Sequence, residues 1–243
     1  TLNHDTIIHR QTESPILTHL TENDANYICF RYMEGYRDLG KLMEEWRKLR
    51  LQGWSAKQEN ASGVNLEDLI GILLQVLEGL QFANAKGVVH RDLKPNNVLV
   101  HPSKKESKLI DFGIARVAHA LHLHDEFHSD SRSPVIIGTF PYLAPEQIKR
   151  ESVGSWTDVY GFCVMATEVL TGDVPFYVDS ESFAPNHSMI LRAKPSHPKA
   201  MNSNLSSEIS SLLYQGMEKL PENRPTFEEL ISCFEKYRIN QRL

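Results

Sequence analysis

The chain has 243 residues, with 26 lysines and arginines against 31 aspartates and glutamates, for a formal net charge of −5. At 41% apolar and 23% charged residues, the composition is globular rather than disordered, and the length suffices for one large domain or two small ones around a sizeable core. Mild acidity argues against a nucleic-acid protein that relies on bulk positive charge, and no stretch approaches the roughly 18 uninterrupted apolar residues of a membrane-spanning helix.

Thr1 begins without a methionine or a signal pattern, which reads as the start of a fragment or processed product. The runs Ile16–Leu20 and Tyr27–Tyr32 flank the turn-like Thr21–Asn26 and predict a hairpin. After Gly35, the stretch Leu39–Leu49 predicts a helix, followed by a polar loop at Gln52–Gly63. From Asn65, residues Leu66, Leu69, Ile70, Leu73, Leu77 and Leu80 recur at three- and four-residue steps, the spacing of one helix face. Asn65 can cap this helix, Glu67 and Asp68 suit the positive end of its dipole, and Gly87 stops it. Val98–Val100 reads as a strand with Lys108–Ile110 as its hairpin partner. Asp158–Leu170 is apolar on most sides and predicts a buried helix ended by Gly172. A last helix starts at Thr226, whose hydroxyl can form a capping box with Glu229, and Phe227, Leu230, Ile231 and Phe234 make its apolar stripe. Strands first and helices afterwards predict an α+β arrangement. The three cysteines, Cys29, Cys163 and Cys233, are scattered and odd in number, which fits a reducing, cytoplasmic compartment and small core side chains.

Three short motifs lie between these elements. His90-Arg-Asp-Leu-Lys-Pro-Asn-Asn97 precedes the second hairpin, Asp111-Phe-Gly113 begins nineteen residues after Asp92, and Ala144-Pro-Glu146 ends 35 residues after Asp111. In this order and spacing they resemble the catalytic loop, the magnesium-binding triplet and the end of the activation segment of protein kinases. Singly, Asp92, Asn97 and Asp111 would read as turn and cap residues. Three motifs in the family's order, with a buried helix behind them, are not explained that way.

The resemblance implies a kinase-like α+β fold. Residues 35–243 would form the mainly helical large lobe, and residues 1–34 a remnant of the β-rich small lobe with two strands and the hinge. It implies transfer of the ATP γ-phosphate, with Mg²⁺, to serine or threonine hydroxyls of protein substrates. Such a transfer needs an in-line hydroxyl and cations to balance charge on the phosphate oxygens. By resemblance, Asp92 takes or orients the hydroxyl proton, Asn97 and Asp111 hold Mg²⁺, and Lys94 sits near the transferred phosphate. Lys94 within Asp-Leu-Lys-Pro-Asn, and the segment Gly138–Glu146, are similar to the serine/threonine class; Thr139 would hydrogen-bond near Asp92 and Lys94. At the hinge, Phe30 would be the gatekeeper, the backbones of Arg31 and Met33 would meet the adenine edge, and Leu99 would pack beneath the ring. Plain core packing also explains Phe30 and Leu99, and Arg31 departs from the acidic residue common at its position.

The same resemblance pairs Glu146 with Arg224, anchors the catalytic loop on Asp158, and stacks His90 on Phe112. Between Asp111 and Glu146, Ser129, Ser131 and Ser133 together with Arg91 suggest phosphoregulation, the alternative being a merely polar loop. His119, His122, His124 and His128 fit no metal-site spacing and read as a solvated loop. Missing from the pattern are a Gly-x-Gly-x-x-Gly loop, a Val-Ala-Ile-Lys strand and a helix carrying a glutamate partner. No Gly-x-Gly occurs anywhere, the first lysine is Lys41, beyond the hinge, and Asn3–Ile8 resembles the link after the missing helix. A cleft without that roof is open to water, which weakens its electrostatic contacts. The 243 residues alone are therefore expected to transfer phosphate poorly or not at all. The competing reading is a non-catalytic, kinase-like scaffold; a small-molecule phosphotransferase would share the Asp…Asn logic but leave Ala144-Pro-Glu146 and Arg224 unexplained.

Overall fold

Strands β1 (Ile16–Glu22) and β2 (Ala25–Phe30) form the expected antiparallel hairpin, with a bulge between Ile16 and Thr18. The computed structural model describes residues 16–22, 25–30, 33–51, 65–112, 140–176 and 187–240. The expectations placed on Arg31, the Gln52–Gly63 loop, Gly113, the serines and histidines between 119 and 133, and Thr139 lie outside the described residues. Phe30 is described only as the last residue of β2.

A second sheet has the order β3-β4-β5, built from β3 (Arg37–Asp38), β4 (Val98–His101) and β5 (Glu106–Leu109), all antiparallel. The hairpin of β4 and β5 is the one expected, but β5 starts earlier than Lys108 and stops at Leu109. Ile110 still donates its N–H to the Asn97 carbonyl at 3.0 Å, so the pairing runs one step past the strand ends. β3 was not expected from the sequence, since two residues leave no alternation to read.

Among the described residues the helices are α1 (Leu39–Leu51), α2 (Leu66–Ala85), α3 (Pro145–Lys149), α4 (Ser155–Thr171), α5 (His187–Arg192), α6 (Pro198–Met201), α7 (Ser207–Gly216) and α8 (Phe227–Asn240). Asn65 caps α2 as read: its side chain accepts the Asp68 N–H at 2.9 Å while Asp68 accepts the Asn65 N–H at 3.4 Å. Thr226 and Glu229 make the corresponding box before α8, at 3.2 and 2.8 Å. Each satisfies backbone donors that a helix start otherwise leaves unpaired. Gly172 closes α4 at φ 93°, a left-handed conformation that a side chain disfavours.

α4 is the centre of the molecule. Every residue from Thr157 to Thr171 is buried, so its apolar character all round has a partner on each side. α2 packs on α4, on α8 and on β5, while α7 packs on α4 and α8. Phe162 of α4 meets Phe234 of α8 edge-to-face at 5.9 Å. Among the described residues no helix is long and apolar enough to cross a membrane.

The packing of α7 on α4 explains one glycine. A Cβ at Gly216 would collide with the Cys163 sulfur, which is fully buried. Gly216→Ala is expected to cost about 1–3 kcal/mol as an overpacked core substitution. Adding Cys163→Ala should return most of that loss, because the pair is in contact and their effects cannot be independent. Strictly additive melting shifts in the double variant would contradict the packing.

Candidate active site

The loop after α2 has its backbone held in an uncommon shape. Arg91 has φ 67°, the left-handed region that residues with a Cβ rarely adopt. The Asp158 carboxylate, in the first turn of α4, accepts both adjacent N–H groups, His90 at 2.8 Å and Arg91 at 2.9 Å. Burial pushes the Asp158 carboxyl up to about 6, against the two N–H bonds that favour its charged form.

His90 is fully buried. Burial drives its imidazole down to about 4, so it is neutral at pH 7. The neutral ring has one donor and one acceptor, and the contacts assign them. Nε2 faces the Ile110 carbonyl at 3.0 Å and donates, while Nδ1 accepts the Asp92 N–H at 3.4 Å. The ring also lies 4.5 Å from Phe112, the stacking expected from the sequence. His90 thereby ties the loop to Ile110-Asp111-Phe112, at the end of β5.

Asp92, Lys94 and Asn97 come together within six residues of chain. Lys94 Nζ is 2.8 Å from Asp92 Oδ2, and both side chains are mostly buried. Asn97 Nδ2 donates to the Asp92 carbonyl at 2.7 Å and to Asp92 Oδ2 at 3.2 Å. Those bonds use the nitrogen end of the amide and turn its oxygen end away from Asp92. A one-turn 3₁₀ segment, Pro95–Asn97, makes this reversal possible, and Pro95 suits its first position.

Asp111 sits at the end of the same hairpin. The Ile110-to-Asn97 hydrogen bond places the residue after Ile110 beside the Asn97 end of β4. Asp111 has φ 57°, a second strained backbone position next to the loop. An amide oxygen and a carboxylate are hard oxygen donors of the kind that suit Mg²⁺, which is held by one or two protein groups plus substrate phosphates rather than a full protein cage. Among the described residues no group of three His, Cys, Asp or Glu could hold a metal.

The hinge positions are partly placed. The Met33 carbonyl accepts the Tyr36 N–H at 3.2 Å and so closes a turn. Leu99 alternates with the core: Val98 and Val100 are 0% and 1% exposed, whereas Leu99 is half-buried on the opposite face of β4.

Two clusters escaped the sequence reading. Asp38 Oδ1, at the start of α1, accepts the Lys41 N–H at 2.8 Å and the Asn96 side-chain amide at 3.3 Å, joining that helix to the loop. Glu168, buried in α4, accepts the Tyr142 hydroxyl at 2.5 Å and lies 3.4 Å from Arg47 of α1, which also reaches the Gly172 carbonyl at 3.0 Å. Burial raises the Glu168 carboxyl, and burial beside Glu168 raises the Tyr142 phenol. The available signal was a glutamate inside a helix apolar on every face, since a buried carboxylate requires partners.

Comparison with known proteins adds an independent line. A family model described as the protein kinase domain matches residues 1–233. The serine/threonine-protein kinase PknB of Mycobacterium tuberculosis is 34% identical over 179 residues, 68% of this chain and 27% of that protein. A probable serine/threonine-protein kinase of Clostridium perfringens, CPE1738, is 32% identical over 218 residues, 89% of this chain and 28% of its own length. Serine/threonine-protein kinase pkn3 of Myxococcus xanthus is 30% identical over 215 residues, 86% of this chain and 35% of its own. The chain thus spans about a quarter to a third of the length of these relatives.

Proposed function

The chain belongs to the protein kinase domain family, serine/threonine type, and from that premise we propose that it forms the catalytic part of an enzyme that phosphorylates serine and threonine hydroxyls of proteins. The observation that carries the proposal is the Asp92–Lys94–Asn97 cluster, bonded at 2.7–3.2 Å and set beside Asp111 by the β4–β5 pairing. A scaffold that only bound partners would have no physical use for a mutually bonded acid, amide and cation between two strained backbone positions, Arg91 and Asp111.

In this reading residues 35–243 are the large lobe, and residues 1–34 are the hinge and the last strands of the small one. Asp92 accepts the proton of the substrate hydroxyl, general-base work for which a carboxylate held by neighbours is suited. Lys94 balances negative charge next to Asp92. Asn97 Oδ1 and the Asp111 carboxylate would hold Mg²⁺, and Thr139 would help to shape the docking segment. Phe30, the backbones of Arg31 and Met33, and Leu99 would line the adenine site. ATP with Mg²⁺ supplies the transferable phosphoryl group and the positive charge that its oxygens require. His90 stays neutral at pH 7 and acts through position, not charge. A cytoplasmic location belongs to the same proposal, supported by the free thiols of Cys163 and Cys233.

One observation favours the scaffold reading for these 243 residues by themselves: they contain no Gly-x-Gly, and no lysine before Lys41. Both the isolated chain and the full gene product that carries it are therefore the materials for the test. Each is incubated with γ-labelled ATP, Mg²⁺ and a serine- and threonine-containing protein acceptor. The expected result is label on serine and threonine, not tyrosine, from the full gene product, lost on chelation of Mg²⁺, with little from the isolated chain. Binding of the acceptor without any transfer by the full gene product would establish the scaffold instead.

A further inference from the structure

The peptide that joins Arg91 to Asp92 is held from two sides, and one of the holding groups comes from outside the loop and the α4 scaffold. Its N–H, that of Asp92, donates to His90 Nδ1 at 3.4 Å. Its carbonyl, that of Arg91, accepts Gln147 Nε2 at 2.7 Å across 56 residues of chain. Gln147 belongs to α3, at the end of the segment that starts at Asp111. The other end of the same amide is also committed, since Gln147 Oε1 accepts the Ala144 N–H at 3.0 Å, just ahead of that helix. A side-chain amide has a donor end and an acceptor end, so only one orientation satisfies an N–H and a carbonyl together. The group is thus locked.

We propose that Gln147 is a positioning residue for Asp92: it clamps the Arg91–Asp92 peptide and so makes the placement of the carboxylate depend on where α3 sits. Arg91 at φ 67° is a conformation that persists only where its surroundings over-determine it. Asp158 restrains the two peptides before Arg91, through the His90 and Arg91 N–H groups, while Gln147 restrains the one after. α3 is itself anchored, because Glu146 is held by Arg224 at 2.8 and 2.9 Å and by the Thr157 hydroxyl at 2.8 Å. Seating of α3 and placement of Asp92 become one event. The inference deepens the kinase reading and rests on it for the role of Asp92.

Two substitutions separate the two ends of the amide. Gln147→Glu keeps an acceptor for the Ala144 N–H but has no donor for the Arg91 carbonyl, whereas Gln147→Lys keeps a donor and loses the acceptor. In the full gene product, Gln147→Glu is expected to speed amide hydrogen exchange at Arg91 and Asp92 and to lower kcat roughly tenfold or more, with KM for ATP little changed, as for a misplaced catalytic group. Gln147→Lys should fall well short of both effects. Melting temperature is recorded for each variant. Exchange reports on the clamp whether or not phosphate moves, and turnover by the unsubstituted protein tests the kinase reading separately. Unchanged exchange in Gln147→Glu would overturn the proposal, as would equal losses in the two variants accompanied by equal drops in melting temperature.

Discussion

Arg224→Ala is expected to lower the free energy of unfolding by about 3–5 kcal/mol, the cost of stranding a buried charge. For a chain of this length that corresponds to a fall in melting temperature of roughly 6–20 °C, with less soluble protein on expression. The Arg224 side chain is 0% exposed and Glu146 is 2% exposed, so solvent cannot replace the lost partner. The guanidinium makes the two-pronged contact with Glu146 and also donates to the carbonyls of Trp156, Glu218 and Lys219 at 2.9, 2.9 and 3.3 Å. Its flat face lies 4.9 Å from the Tyr160 ring. Removing it leaves a carboxylate and three carbonyls to be satisfied. A variant in which Glu146 is also made apolar should recover part of the loss but not all of it, because the carbonyls remain. The pH dependence has a definite sign. Burial pushes Glu146 up, but the hydrogen bonds and charge of Arg224 outweigh it and hold the carboxyl below its ordinary 4.5. The unfolded chain therefore binds the proton more tightly, and the stabilisation present above about pH 4.5 is lost as pH falls below it. The gap between the wild-type and Arg224→Ala melting temperatures should shrink in that range. An unchanged melting curve in Arg224→Ala at pH 7 would remove the pair from any account of stability.

Asp92→Asn should reduce phosphate transfer by the full gene product about 10²–10⁴-fold while leaving the melting temperature close to wild type. The substitution is chosen for what it preserves. An asparagine oxygen still accepts from Lys94 and from Asn97, whose bonds to Asp92 Oδ2 measure 2.8 and 3.2 Å, so the loop keeps its shape. What disappears is a carboxylate able to take a proton. Turnover of Asp92→Asn within about threefold of wild type would mean that the hydroxyl proton leaves by another route, and the role assigned to Asp92 would be wrong. If Asp92→Asn lost activity only in proportion to a lowered melting temperature, the residue would be a structural member of the Lys94–Asn97 cluster instead.

Much of this was legible beforehand because it is local. A capping box spans three residues, so Asn65 with Asp68 and Thr226 with Glu229 are fully written in four-residue windows. The face of α2 and the all-round burial of α4 follow from residue spacing along one helix. The motif residues Asp92, Lys94 and Asn97 sit within six positions, so their meeting needs only one turn of chain. β3 was missed because two residues carry no period, and its pairing with β4 depends on a strand 60 residues away. Gln147, Tyr142 and Glu168 were missed for a related reason: no short-range rule says which distant group a polar side chain will reach.

The caps, the buried helix and the identity of the motif residues are properties of the sequence by itself, since each depends on neighbours a few positions apart. The charge states and the strain were decided only by the tertiary structure. His90 is neutral because the fold removes it from water, Asp158 is raised to about 6 by the same burial, and Arg91 holds a left-handed backbone because α3 and α4 grip it on opposite sides. Desolvation and over-determined backbone geometry are sums over groups distant in sequence, and those sums exist only once the chain has packed.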